Sequence, residues 1–232
     1  MARMLDLSRS WTYFAAFLLL AAIAFWPTYL SQPRASSAYT HFHAATASLW
    51  MVLLVAQSWA IGTRRVAQHR LLGKGSYVLA PLVLVGILLL AHDRIKGAAP
   101  GEAYAIQTYI LWLQLSLAFL FALSYALAIR TRRSVARHSR FMVCTALTLV
   151  DPVVIRLMFW IDPTPSWNYQ WFTFGLTDLV FLILIWLERE NRAGRGVFPA
   201  MLAVFVAAQL PALLGLTETA SWQAFARWYA GL

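Results

Sequence analysis

The sequence predicts an all-α fold: a polytopic integral membrane protein whose seven transmembrane helices pack as one bundle over residues 1–232. Three observations predict it. Of 232 residues, 61% are hydrophobic and 12% charged. A soluble domain of this length is nearer half apolar and a quarter charged, and one core could not bury the excess. Seven apolar runs are long enough to cross a ~30 Å hydrocarbon layer as helices, which satisfy their own backbone groups where lipid cannot. The basic residues fall between those runs and favour one side. The same composition excludes disorder, collagen, a coiled coil and a disulfide scaffold, since the single Cys144 cannot close an internal bridge.

The predicted spans lie near 11–30, 42–62, 76–92, 104–129, 141–161, 169–187 and 197–216. Barrel strands would be shorter and would alternate, which these do not. Arg3 and Arg9 precede the first run, and Phe25-Trp26-Pro27 is a poor cleavage site, so that run reads as an uncleaved signal anchor.

Orientation follows from the short loops. With the N-terminus inside, fourteen of the 19 Lys and Arg residues are cytoplasmic: Arg3, Arg9, the Arg64–Lys74 group, the Arg130–Arg140 group and the Arg189–Arg195 group. Arg34, Arg94, Lys96 and Arg227 fall outside, and Arg156 lies within a helix. This places the C-terminus outside. The net charge of +10 then reads as topology and contact with anionic headgroups of the bilayer, with no nucleic acid implied. In 218–232 the aromatics Trp222, Phe225, Trp228 and Tyr229 recur at helical spacing, which predicts an outer interfacial helix.

Histidine depth points to chemistry. His41 and His43 fall at the outer end of helix 2 and His92 at the outer end of helix 3. His69 and His138 fall in loops just before helices 3 and 5, on the inner side. His69 and His92 would stand about 34 Å apart in a helix, so they cannot share a metal. Two sites follow: His43 with His92 outside, and His69 with His138 inside. Two neutral imidazoles facing across a gap are what axial haem ligation needs. Arg70 and Arg140, beside the inner pair, could meet haem propionates. The bland alternative is five interfacial histidines in wet loops.

Other polar residues lie deeper. His43, Trp50, Gln57 and Arg64 recur every seven residues and share one face of helix 2, and Gln107 and Gln114 repeat that spacing on helix 4. Glutamines at this depth either bond neighbouring helices or line a ligand-bearing interior. Asp151 and Arg156 in helix 5 and Asp178 in helix 6 are costly there and need partners. Arg156 is the obvious one, although five residues, or about 140°, separate it from Asp151. Pro152 should break helix 5, with Asp151 capping the second half. Pro81 and Pro211 should kink their own spans. No mid-membrane lysine, nucleophile motif or phosphate loop is present; Gly73-Lys74-Gly75 reads as a loop and Cys144 as packing.

Residues 41–160 resemble an uncharacterised family of bacterial polytopic membrane proteins. The resemblance rests on His43, Gln57 and Arg64, the run His69-Arg70-Leu71-Leu72-Gly73-Lys74, the run Arg137-His138-Ser139-Arg140-Phe141-Met142, and Arg156. It implies a shared fold in the bacterial inner membrane. A looser similarity is to dihaem transmembrane b-type cytochromes of the ascorbate-dependent ferric reductase class. It implies haem b held by His43, His92, His69 and His138. Three functions are expected in turn: haem-based electron transfer with a redox partner, a proton-coupled transporter using Asp151, Arg156 and Asp178, or a non-catalytic subunit of a membrane complex.

Overall fold

A computed structural model describes residues 10–164 and 168–232; Arg3 and Arg9 lie outside the described residues. Among these are nine α-helices and no strand: α1 Ser10–Phe25, α2 Ala38–Gly62, α3 Val66–Lys96, α4 Glu102–Arg130, α5 Val135–Leu147, α6 Val150–Ile161, α7 Gln170–Leu187, α8 Val197–Leu213 and α9 Ala220–Ala230. A π-helical turn, Trp26–Leu30, extends α1.

Six helical stretches are long and apolar enough to cross a membrane: Ser10–Leu30, α2, α3, α4, the joined α5 and α6, and α7. The chain is therefore a multi-pass membrane protein by length and composition. The last apolar helix, α8, has 17 residues. It stops short of the expected 216 because Gly215 turns into the left-handed region at φ +69°.

α3 departs most from expectation. It has 31 residues and begins at Val66, ten residues before the apolar run. Hydropathy marks what can sit in hydrocarbon, whereas a helix continues until something ends it. At ~1.5 Å per residue α3 is about 46 Å long and runs past the ~30 Å layer. His69, Lys74 and both glycines beside Lys74 are therefore helical rather than in a loop, and so is His138, in the first turn of α5.

The turn into α3 is three residues long. Arg64 N–H bonds the Ile61 carbonyl at 3.0 Å and Arg65 N–H bonds Ala60 at 2.7 Å. This is the paired bonding of a Schellman cap, with Arg64 at the left-handed position, φ 59°, where glycine is usual. The tight turn folds α3 back along α2. The two backbones approach closely at Gly86: a Cβ there would lie 3.2 Å from the His43 Cα.

α5 and α6 break at Thr148–Leu149, as the proline requires, since Pro152 has no N–H to offer the preceding turn. Pro152 takes the third position of α6, within the turn whose N–H groups have no intrahelical partner. Asp151 does not cap this helix. Leu149 holds the cap position without a side-chain bond, and the Asp151 carboxylate turns towards α7. Pro81 and Pro211 lie inside helices that continue past them.

One apolar core joins α4 to α8 through Leu120, Cys144, Phe181, Phe198 and Phe205. A second joins α2 to α5 around Trp50, which is fully buried against Phe121 and donates its indole N–H to Thr145. α9 docks on the bundle as well as offering an aromatic outer face. The Trp222 indole donates to the Thr108 carbonyl at 3.0 Å, the Tyr229 hydroxyl to Leu88 at 2.8 Å, and Trp228 stays exposed. One end of the bundle carries α9, and the opposite, basic end is where α2 meets α3 and α4 meets α5.

Candidate functional site

The deep charges are organised by the break in the fifth span. From Val150 onward α6 is regular, so Asp151 and Arg156 leave it in different directions. Asp151 faces α7, where Gln170 Nε2 and Thr173 Oγ1 both donate to its Oδ1. All three residues are buried, and Gln170 also bonds Thr173 at 2.8 Å. Arg156 faces α1. Its Nη1 donates to the Pro152 carbonyl at 2.7 Å, and its guanidinium lies over the Phe25 ring, 4.1 Å from the centroid. Arg156 was expected to partner one or both aspartates. Among the described residues it forms an ion pair with neither, because the helical angle separates it from Asp151 and a glutamine already serves Asp178. Gln209 Nε2 donates to Asp178 Oδ1 at 3.0 Å.

The two carboxylate networks meet at one cavity. It has a volume of about 20 Å³, sits between α4, α5, α6, α7 and α8, and is lined by Ser116, Asp151, Thr177 and Gln209 among apolar side chains. That is room for a single water with several polar partners. Gln170, Thr173, Thr177 and Gln209 were not singled out in the sequence. The available signal was Gln170 and Thr173 at i, i+3, which share a helix face next to an otherwise apolar run.

The three expected glutamines go elsewhere. Gln57 points to the basic end, its Oε1 buried without a partner. Gln107 lines an open groove of about 560 Å³ at the α9 end with Asp93 and Arg94. Gln114 is half-buried on α4 and bonds neither carboxylate.

The histidines divide. His69 and His138 come together at the basic end, ring centroids 6.5 Å apart and planes at 89°. Each is the fourth residue of its helix, α3 or α5. His138 Nδ1 lies 2.9 Å from the Ala128 carbonyl oxygen. A carbonyl only accepts, so this nitrogen carries the proton and Nε2 keeps its lone pair. The His69 Nδ1 is buried without a partner.

His43 and His92 do not come together. His43 stands opposite Gly86, six residues or about 9 Å below His92 along α3. His92 instead meets the Tyr229 ring at 5.9 Å. No ring contact among the described residues joins His43 to His92. His41 bonds the Tyr29 hydroxyl at 2.9 Å.

Four histidines holding two haems therefore do not fit this arrangement. The outer pair is offset in depth. At the inner pair the Gln57 amide packs on α3 one turn from His69, 3.5 Å from where a Cβ on Gly73 would sit. Of the two expected propionate partners, Arg140 is already engaged. Arg70 is exposed. Arg140 is buried and committed, its Nε 2.5 Å from Glu188 Oε2 and its Nη1 on the Ala136 carbonyl. No group of three or more His, Cys, Asp or Glu among the described residues could hold a metal.

The chain matches no protein-family model, and no curated protein or solved structure matches it.

Proposed function

We propose that this chain is a proton-coupled permease for small anions. In this reading it has seven spans in a bacterial inner membrane, with α8 as the seventh, the basic end in the cytoplasm and α9 outside. One observation carries it: Asp151 and Arg156 stand on the same half-helix, five residues apart, and are held apart. Opposite charges in hydrocarbon gain most by pairing, so a fold that gives each its own partners keeps both available.

The roles follow from the partners. The Asp151 carboxylate accepts from an amide and a hydroxyl, and neither is a cation that would hold it charged. It can take a proton from the water-sized cavity and return it there. Arg156 is a planar donor that bonds one backbone carbonyl and lies over one ring face, which suits a carboxylate or phosphate guest. The Thr148–Leu149 break supplies a hinge in mid-bundle, and broken helices border binding sites in many transporters. Asp178, tied to the cavity through Gln209, is a second proton station.

The test is charge movement in reconstituted vesicles on a solid-supported membrane, using pulses of small carboxylates and phosphate with and without a proton gradient. Gradient-dependent current is expected, falling at least about tenfold in Asp151→Asn and in Arg156→Gln. Current equal to that of empty vesicles for all these anions, or unchanged in both variants, overturns the proposal.

A further inference from the structure

We propose that His69 and His138 form a copper(I) site at the basic end of the bundle. The site is independent of the transport reading and uses none of its residues.

The geometry starts from helix placement. Each histidine lies one turn into its helix, so backbone hydrogen bonding rather than a loop fixes both rings. Their centroids are 6.5 Å apart. Two imidazoles that ligate one ion from opposite sides place their centroids at about this separation, given metal–nitrogen bonds near 2.0 Å.

The nitrogens are also prepared. Metal-bound histidines usually donate their other ring N–H to a carbonyl or carboxylate, which fixes the tautomer. His138 does this through Nδ1 to Ala128, leaving Nε2 free. His69, fixed by its place in the first turn of α3, leaves Nδ1 buried without a partner. The Gln57 Oε1 beside them is likewise buried and unpartnered. A buried polar atom without a partner costs roughly 1–3 kcal/mol, so a ligand bound to His69 Nδ1 would relieve that cost at the one place where a second imidazole stands beside it.

The ion follows from what surrounds the pair. There is no thiolate, and the nearby carboxylate of Glu188 is committed to Arg140. Arg70, Lys74 and Arg137 are exposed and keep the neighbourhood positive. Neutral nitrogens in a half-buried positive setting favour the lowest ionic charge. Among the metals that imidazole suits, copper is the one available as a monovalent ion, and copper(I) accepts two-coordinate binding.

The full-length protein in detergent is titrated anaerobically with copper(I) against a chromogenic chelator. One equivalent is expected to bind. His69→Gln and His138→Gln should each weaken binding at least about a hundredfold, more than loss of a supporting contact costs. His92→Gln should bind as the wild type does. Copper(I) should also raise the thermal midpoint of the unmodified protein, a readout that needs no variant to fold. Binding unchanged in both histidine variants, no thermal shift, or tighter binding of Zn²⁺ than of copper(I) overturns the assignment.

Discussion

Asp151 and Arg156 share α6 yet bond to different neighbours, the aspartate to Gln170 and Thr173 on α7 and the arginine to its own helix and the Phe25 ring of α1. Removing either side chain should therefore leave the other's hydrogen bonds in place. Asp151→Asn retains an acceptor for Gln170 and Thr173 and should unfold within about 1 kcal/mol of the parent. Asp151→Leu removes the acceptor that Gln170 and Thr173 share, leaving them only each other and the Gln170 carbonyl, and should cost roughly 1–3 kcal/mol. Thermal unfolding followed by tryptophan fluorescence in detergent separates the two. Equal losses would mean that the carboxylate serves Arg156 after all.

Arg140 and Glu188 are the contrasting case, a buried pair that does meet, with side-chain exposures of 6% and 11%. Glu188→Gln removes the negative partner and should destabilise by about 3–5 kcal/mol, as breaking a buried pair does. Gly194 supports this pair. It adopts φ +79°, and a Cβ there would lie 2.8 Å from Arg140 Nη1. Gly194→Ala should lower the unfolding temperature. An unchanged melting curve for both variants would show that the pair contributes nothing.

Gly86 sets the approach of α2 to α3. A Cβ would lie 3.0 Å from Thr46 Oγ1 and 3.2 Å from the His43 Cα, and the second neighbour is backbone that cannot swing away. Gly86→Ala should cost roughly 1–3 kcal/mol through overpacking, despite the better helix propensity of alanine. A stabilised variant would mean that the helices are not in contact there.

Arg64 offers the opposite sign. It occupies a left-handed cap position at φ 59°. Arg64→Gly should stabilise by about 1 kcal/mol, since glycine takes that conformation without the Cβ clash. A lower unfolding temperature would show that the arginine makes a contact worth more than its strain.

The docking of α9 should depend on alkaline pH. Burial pushes the Tyr229 phenol above its ordinary range, and its hydroxyl donates to Leu88. A folded-state value raised above the unfolded one gives stability that is complete below the unfolded value. That stability is lost as pH rises through the folded value. Trp222 and Trp228 fluorescence should report release of α9 above the ordinary phenol range, and Tyr229→Phe should lack that step. The same alkaline transition in Tyr229→Phe would assign it to another group.

The sequence by itself determined the class and most of the spans, because hydrocarbon thickness and backbone satisfaction leave an apolar run of about twenty residues few alternatives. It also placed a break next to Pro152, since a missing N–H acts locally. The true start of α3, ten residues before its apolar run, was not legible, because hydropathy registers the solvent around a helix and not where its hydrogen bonds end. Which polar residues meet was decided by tertiary structure alone. His69 and His138 converge while His43 and His92 miss each other by six residues of register, and Gln170 and Gln209 reach the aspartates in place of Arg156. Such pairings depend on how helices are rotated and shifted against one another, and apolar faces as uniform as these carry little record of either.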